Sequence, residues 1–433
     1  MHRVYVSDPV KLLDAIHANL ADDGPRLVYA DQLQEAGDPR GEFIAVQCEL
    51  ARLGYAVKAP SWDWIGDALA DDDVDPAHIR KLRSRETALL KAHGDSWLAD
   101  AKRLNPLYSL MSLRFERGFV THSETGASAE TGRKLNALRE VFPTLDSIDL
   151  PSIMDSELAQ VFAWPGFAEL RALQMPVHGL RGLTQLKTAK LRELGMRCTD
   201  RNDHQLVSLL FDWAPFKGIT ALDISAAALT AGDAAKLVAT CGPLDELQLR
   251  SAKLGPEGAA TLANAKPLAN LRILSLISNG IGAKGTAALL KLKNLRALDL
   301  RKNKVGTDGA AALAEHPSVR TIDLTGNSVN AETMEALCGG KGRKELRELC
   351  LQATHVDDEA LGVLAASPLL GRLTGLNLRS NKITDAGAKV LAKSKHAANL
   401  RAINLNNNDI TAAGKKVLDD SKFFAHARII LRG

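Results

Sequence analysis

The chain has 433 residues and a net charge of +4, too small an excess to argue for nucleic acid as a partner. No run of about 18 apolar residues occurs, so no membrane-spanning helix is expected. The five cysteines, Cys48, Cys198, Cys241, Cys338 and Cys350, are scattered without a CxxC pair, which excludes a disulfide framework or a zinc knuckle and fits reduced thiols in a cytoplasmic protein.

Charge is unevenly placed. Residues 1–110 carry 18 acidic and 13 basic residues, and the remainder 33 and 42. The first residues, Met1 to Pro9, lack the apolar stretch of a signal peptide. Asp8-Pro9 predicts a helix start, and Leu12, Leu13, Ile16 and Leu20 come next at helical spacing. Asp22-Asp23-Gly24-Pro25 should end that helix. A second helix is expected from about Arg26 to Ala36 with Leu27, Val28, Ala30 and Leu33 inward, and a third from about Gly41 to Leu53 through Phe43, Ile44, Val46, Gln47 and Leu50.

Pro25-Arg26-Leu27-Val28-Tyr29-Ala30-Asp31-Gln32-Leu33, followed by Gly37-Asp38-Pro39-Arg40-Gly41-Glu42-Phe43-Ile44, resembles the small bacterial repeat-companion domain, a module that precedes repeat arrays. The resemblance covers roughly residues 8–54 and implies no activity. Arg26, Asp31, Asp38 and Arg40 are expected to pair and hold the helices together. Residues 55–75 read as irregular, with Trp62, Trp64 and the acidic run Asp71 to Asp75, which lacks the spacing of a calcium loop. A helix resumes from Pro76 to His93, and Trp97 and Leu98 should anchor this region to the rest of the chain.

Leu110, Leu113 and Phe115 begin a new pattern, with Arg117 to Val120 extending a strand or turning it into a hairpin and Ser128 capping a helix. An LxxLxL frame then starts at Leu145, Leu170, Leu191, Ile219, Leu244, Leu271, Leu295, Val319, Leu346, Leu373 and Leu400, at intervals of 21 to 28 residues. A fixed period of this size means a solenoid. In each repeat the LxL part alternates at period two, as a short strand of a parallel sheet, and the second half reads as a helix, for example Gly309 to Ala314 or Gly387 to Ala392. Asparagine recurs at one frame position, as Asn279, Asn303, Asn327, Asn381 and Asn408, where an amide can satisfy backbone groups at the bend. Thr199, Ala227, Ala252 and Thr354 interrupt that column, so the N-terminal half should be less regular. The frame LxxLxLxxN resembles the leucine-rich repeat, and the G-A-x-x-L-A helices resemble its ribonuclease-inhibitor-like and RanGAP-like subclass, which implies helices on the convex side of a pronounced curve. Phe423 and Phe424 could seal the end of the core, and Ala427 to Leu431 reads as a last short strand.

One stretch resembles enzyme chemistry. Gly280-Ile281-Gly282-Ala283-Lys284-Gly285 matches GxGxxG after a strand and before a helix, with Asp299 near the distance expected for a ribose ligand. The strand-to-strand step there is 24 residues, short of the roughly 30 of a nucleotide-binding βαβ unit, and neighbouring repeats place Val305-Gly306 and Ile383-Thr384 in the same register. The repeat explains the glycines better. No HExxH, GxSxG or Walker A sequence is present, and the eleven histidines are scattered. No catalytic residue, metal site or cofactor is expected.

What remains is the polar column pair on the concave face of the sheet. The central column includes Asp223, Asp299, Asp323 and Asn404, and the next includes Arg197, Arg250, Arg301 and Arg379. They either pair with each other or form an interaction face in which arginine grips carboxylates. Acids interrupt the basic column and the face has almost no aromatic residue, which argues against nucleic acid. The expected architecture is an α/β leucine-rich-repeat solenoid behind a small all-α domain: residues 1–109 helical, 110–144 an N-terminal cap repeat, 145–426 eleven repeats and 427–433 a C-terminal cap strand. The expected function is a cytoplasmic, monomeric, non-catalytic scaffold that binds a protein on the concave face, with no membrane contact. The alternatives are a regulator or inhibitor of an enzyme, of the GTPase-directed or ribonuclease-inhibitor kind, and, more remotely, a nucleotide-dependent enzyme.

Overall fold

A computed structural model describes residues 8–53, 76–104, 112–124, 131–151, 153–186, 190–198, 204–225, 229–340 and 345–431. The expectations for Trp62, Trp64, Asp71 to Asp75, Leu110, Ser128, Thr199 and Ala227 lie outside these residues. The chain divides into two compact units, Met1–Leu194 and Gly195–Gly433.

The first unit opens with helices α1 (Pro9–Ala18), α2 (Asp23–Glu35), α3 (Pro39–Arg52), α4 (Pro76–Trp97) and α5 (Ala99–Leu104). Asp8 caps α1 by accepting from the Val10 N–H at 3.0 Å. Asp22 does the same for α2, accepting from Gly24 at 2.9 Å. The helix therefore begins at Asp23, earlier than its apolar periodicity suggests. The Asp-Asp-Gly-Pro cluster starts a helix rather than only ending one, because a first-turn proline lacks only a donor that the helix does not need there. The inward face of α2 also differs from expectation. Leu27 and Val28 are exposed, at 42% and 38%, and Arg26 is buried. The buried guanidinium donates to the Asp22 carbonyl at 2.9 Å and lies 5.7 Å from the Phe119 ring centre, with Arg40 at 5.6 Å from the same ring. An aromatic face that accepts two cations turns the helix this way. Asp38 caps α3 through the Arg40 N–H at 2.8 Å instead of bridging helices. Along α3 the expected residues Phe43, Ile44, Val46, Gln47 and Leu50 are all buried.

Strands β1 (Leu113–Glu116) and β2 (Phe119–Glu124) form an antiparallel hairpin through Arg117 and Gly118, both left-handed. Gly118 sits where a Cβ would fall 2.2 Å from Ile44, and its N–H donates to Gln47 at 2.7 Å. Gln47 in turn donates to Glu86 of α4 at 2.9 Å. Phe43, Leu89 and Leu98 share one core with Leu113, Phe115, Val120, Leu138 and Leu145, and Trp97 packs against it. The anchoring expected of Trp97 and Leu98 is thus present. Helix α6 (Thr131–Val141), β3 (Ser147–Asp149), α7 (Asp155–Ala163), β4 (Ala172–Pro176) and the single turn α8 (Leu180–Leu183) come next, with β2, β3 and β4 pairing in parallel. Strand β5 (Glu193–Arg197) carries the chain into the second unit.

That unit holds α9 (His204–Val207), β6 (Ala221–Ser225), α10 (Ala231–Thr240), β7 (Glu246–Arg250), α11 (Gly255–Ala263), β8 (Ile273–Ser275), α12 (Gly282–Ala288), β9 (Ala297–Asp299), α13 (Gly306–Ala314), β10 (Thr321–Asp323), α14 (Ala331–Cys338), β11 (Glu348–Cys350), α15 (Asp358–Ala366), β12 (Gly375–Asn377), α16 (Asp385–Lys393), β13 (Ala402–Asn404), α17 (Ala412–Asp419) and β14 (Arg428–Ile430). Strands β6 to β14 pair in sequence order, all parallel. Every residue that opens one of the eleven frames is buried, and each such apolar side chain contributes about 1.5–3 kcal/mol of burial. Helices α8 and α9 have only four residues, whereas α10 to α17 have seven to ten. The less regular early repeats match the interrupted asparagine column. At the C-terminal end Phe424 is buried, whereas Phe423 is partly exposed beneath Lys422, so one of the two expected aromatics closes the core.

Candidate binding face and repeat frame

The frame is built by its asparagines. Asn303 is fully buried. Its amide donates to the carbonyls of Leu276 (2.6 Å) and Arg301 (3.1 Å), and its oxygen accepts from the N–H groups of Asn279 (3.0 Å) and Ile281 (3.2 Å). Asn279, Asn327 and Asn381 repeat the pattern on their own rungs. Thr354 takes the same place with a hydroxyl, donating to Leu351 at 2.7 Å. The residue before each of these is left-handed: Ser278, Lys302, Gly326, Ala353, Ser380 and, before Asn408, Asn407. The glycines at 280–285 belong to this frame. Gly280 and Gly282 are left-handed turn residues with open space around them, and a Cβ on Gly285 would meet Ile281 at 2.5 Å and the Pro256 backbone at 3.0 Å. They shape a turn and let α12 pack on α11, the role expected of them.

Residues alternate across a strand, so those flanking the buried leucines face the other way. In register, Asp223, Gln248, Ser275, Asp299, Asp323, Cys350, Asn377 and Asn404 form one column of the second unit. Much of this column is buried rather than exposed, with Asp299 at 0% and Asp323 at 3%. Its acids and amides have a local task. Asp299 accepts from the Arg301 N–H (3.1 Å), Asp323 from Thr325 (2.8 Å), Asn377 from Arg379 (3.0 Å) and Asn404 from Asn406 (3.1 Å). Each side chain satisfies the backbone N–H two residues on, at the point where the strand ends.

The arginines of the adjoining column differ from one another. Arg301 lies along Asp299, with contacts of 3.0, 3.0 and 2.7 Å, and reaches Asp323 at 3.5 Å. Arg250 donates to Gln248 at 2.5 Å and stands 4.0 Å from Asp223. Arg197 ends β5 partly exposed. Arg379 is exposed. The structure thus brings Asp299, Arg301 and Asp323 into one cluster and Asp223 with Arg250 into another, while Arg379 lies two residues past the end of β12 and Asn404 ends β13. Burial pushes the Asp323 carboxyl up to about 6, helped by the neighbouring Asp299 charge, and burial also raises Asp223. Cys350, 3.3 Å from the Thr325 hydroxyl, is pushed up to about 12 by burial and by Asp323, which leaves its thiol protonated and unreactive. Among the described residues no group of three or more His, Cys, Asp or Glu side chains could hold a metal ion.

A family model described as leucine rich repeat matches residues 269–329, and a second leucine rich repeat model matches residues 373–392 and 396–418. These are leucine-rich repeats. A chain of the yeast Rad7 and Elc1 complex is similar to this one with a TM-score of 0.51 and 14% identity, covering 83% of this chain and 99% of that one. An internalin (inlF) from Listeria monocytogenes gives 0.33 and 16%, over 78% and 92% of the two chains. The TLR13–ssRNA13 complex gives 0.36 and 14%, over 72% and 49%. The first of these likenesses shows the fold alone. No curated protein matches the chain.

The leucine-rich repeats hold one column that columns drawn only through and after the LxL leucines pass over. The second frame position reads Arg272, Arg296, Arg320, Arg347, Thr374 and Arg401. Each N–H from Arg296 onward donates to the carbonyl of the preceding member at 2.8 Å, so the arginines stand on successive rungs where the chain enters the strands. The signal was present as a recurring Leu-Arg pair.

Proposed function

We propose that the chain is a non-catalytic scaffold that holds a protein partner on the polar face of its leucine-rich repeats, through Arg197, Asp223, Arg250, Asp299, Arg301, Asp323, Arg379 and Asn404. The observation that carries this reading is the fixed presentation of arginine on that face. Arg301 is held in one geometry by two carboxylates, so little side-chain entropy remains to be lost on binding. Its side chain is 28% exposed. Asp299, Asp323 and Asn404 support neighbouring groups and contribute by positioning rather than by direct contact. The helices before residue 55, with Arg26 and Arg40 clamped on Phe119, fit the repeat-companion resemblance, and the small-residue helices fit the ribonuclease-inhibitor-like subclass; both assignments belong to the proposal, as does a cytoplasmic setting. No helix among the described residues is long and apolar enough to cross a membrane.

The test is affinity capture from the native host with the unaltered chain and with the double variant Arg250→Glu, Arg379→Glu. Arg379 is exposed and Arg250 lies at the strand end, so the fold should survive, which circular dichroism would verify. A protein captured by the unaltered chain and at least tenfold depleted with the variant is expected. Equal capture by both would remove the polar face from consideration.

A further inference from the structure

Acidic side chains disappear from the middle of the array. From residue 258 to residue 298 the chain has no aspartate or glutamate and six basic residues, Lys266, Arg272, Lys284, Lys291, Lys293 and Arg296. Lys284 lies in the first turn of α12. The other five stand where the chain enters β8 and β9. Lys266, Arg272, Lys291 and Lys293 are exposed, and Arg296 is half-buried.

The frame explains why these cations are left over. Elsewhere along this edge an arginine at the second frame position meets a carboxylate. Arg171 pairs with Asp146 at 3.0 Å and with Glu193, and Arg320 stands 3.9 Å from Glu345. Arg347 and Arg401 are engaged as well. Glutamate fills the third frame position at Glu193, Glu246 and Glu348, whereas β8, β9 and β10 place Ile273, Ala297 and Thr321 there, all buried. Among the described residues, Lys266, Arg272, Lys293 and Arg296 form no ion pair and no side-chain hydrogen bond. Asp245, one rung before Arg272, is exposed and makes no ion pair with it, and Glu246 accepts from Gln248 at 2.6 Å. On the other side the strip is bounded by exposed Glu315 and by the Arg320–Glu345 pair.

The backbone fixes the strip. The Arg296 N–H donates to the Arg272 carbonyl at 2.8 Å, so the two arginines stand on adjacent rungs, about 4.8 Å apart. Lys291 donates to Asn264 at 2.7 Å and Asn294 to the Ala269 carbonyl at 2.9 Å, which ties the two strand-entry loops together.

We propose that this edge docks an acidic segment of a protein partner. Carboxylates on one side of an extended chain recur about every 6.5–7 Å. Two arginines on adjacent rungs and the flexible stems of the lysines can follow that spacing, arginine as a bidentate donor and lysine as a point charge. Nucleic acid and membrane fit less well. No Phe, Trp or Tyr lies between Phe216 and Phe423, so the edge offers bases no stacking surface. None of the exposed large apolar side chains belongs to these repeats, so the edge has nothing to insert into a bilayer. The edge is independent of the polar face, because it contains none of the residues assigned there.

Fluorescence anisotropy at low ionic strength, with a labelled peptide of alternating glutamate and serine and with its glutamine–serine twin, tests this. The unaltered chain should bind the acidic peptide and not the twin, and added salt should weaken the binding. Arg272→Glu combined with Lys293→Glu, both at exposed positions, should weaken it about tenfold or more. Lys302→Glu combined with Lys304→Glu makes the same change of net charge at the strand-exit end of β9 and should leave binding nearly intact. The milder pair Arg272→Gln, Lys293→Gln should act in the same direction as the charge reversal, so a folding defect in the reversed variant, seen by circular dichroism, leaves the test standing. No binding of the acidic peptide by the unaltered chain, or equal weakening by the strand-entry and strand-exit pairs, would overturn the proposal. So would tighter binding of duplex DNA or of phosphatidylserine vesicles, or self-association in sedimentation that the strand-entry pair abolishes, which would assign the edge to a second copy of the chain.

Discussion

The carboxylate of Asp323 shows how one residue can serve the frame and oppose it. It satisfies the Thr325 N–H and helps hold Arg301, yet it is buried beside Asp299. Its folded pKa of about 6 lies above its ordinary value of 3.8. The folded state therefore binds the proton more tightly, so this group's contribution is full below 3.8 and is lost as pH rises through 6. His316 acts in the other direction. It is fully buried, and desolvation lowers it from 6.5 to about 4. Unfolding takes up a proton there, so its contribution is full above 6.5 and falls as pH drops toward 4. His122, lowered to about 3 by burial and by Arg114, adds to the same side. Asp323→Asn separates the two effects. Asparagine already fills this column at Asn377 and Asn404 and accepts the same backbone N–H. The variant should lose the opposing term and keep the histidine terms. Its stability relative to the unaltered chain should rise between pH 4 and pH 6, by up to about 3 kcal/mol at 1.36 kcal/mol per pKa unit. Urea denaturation across that range measures it, and a pH-independent difference would show that Asp323 is not a buried titrating group.

At the scale of the repeat, the asparagine ladder carries the frame. Asn303→Ala would strand two buried N–H groups and the Leu276 carbonyl. Unsatisfied buried groups cost about 1–3 kcal/mol each, so a loss of about 3 kcal/mol or more is expected by chemical denaturation. Asn408→Ala should cost less, because Asn408 is only half-buried at the end of the array. Equal losses would contradict the ladder's dependence on burial. This element was legible from sequence, since apolar period and asparagine position are dictated by local packing. The helix start at Asp23 was misplaced because the same Asp-Gly-Pro residues end one helix and open the next. The burial of Arg26 was invisible, because it depends on Phe119, more than 90 residues away in the chain. The pairing state of the polar columns was undecided for a similar reason. Sequence places Asp299, Arg301 and Asp323 on one face but does not show that the strand ends there and leaves an N–H for the carboxylate to take.

At the scale of the whole chain, a solenoid gains stability from nearest neighbours, and two compact units need not unfold together. Two substitutions can separate them. Gly118→Ala forces a side chain onto a residue with φ of +85° and sets a Cβ 2.2 Å from the Ile44 side chain and 2.8 Å from its Cα. Backbone cannot yield as a flexible side chain does, so strain of about 1–3 kcal/mol should fall on the joint between α3 and the hairpin. Asn303→Ala acts on repeats far along the chain. Hydrogen exchange read by mass spectrometry should then give two distinct maps. Gly118→Ala should raise exchange in the buried segments of α3, β1 and β2 and leave β8 to β11 protected. Asn303→Ala should raise exchange from β8 to β10 and leave α3 and the hairpin unchanged. The contrast tests the physics of the array directly, because strain in a nearest-neighbour chain decays over a few rungs. If either substitution raised exchange equally in both regions, the chain would be one cooperative body, and the repeats would be coupled over a longer range than contact between neighbours provides.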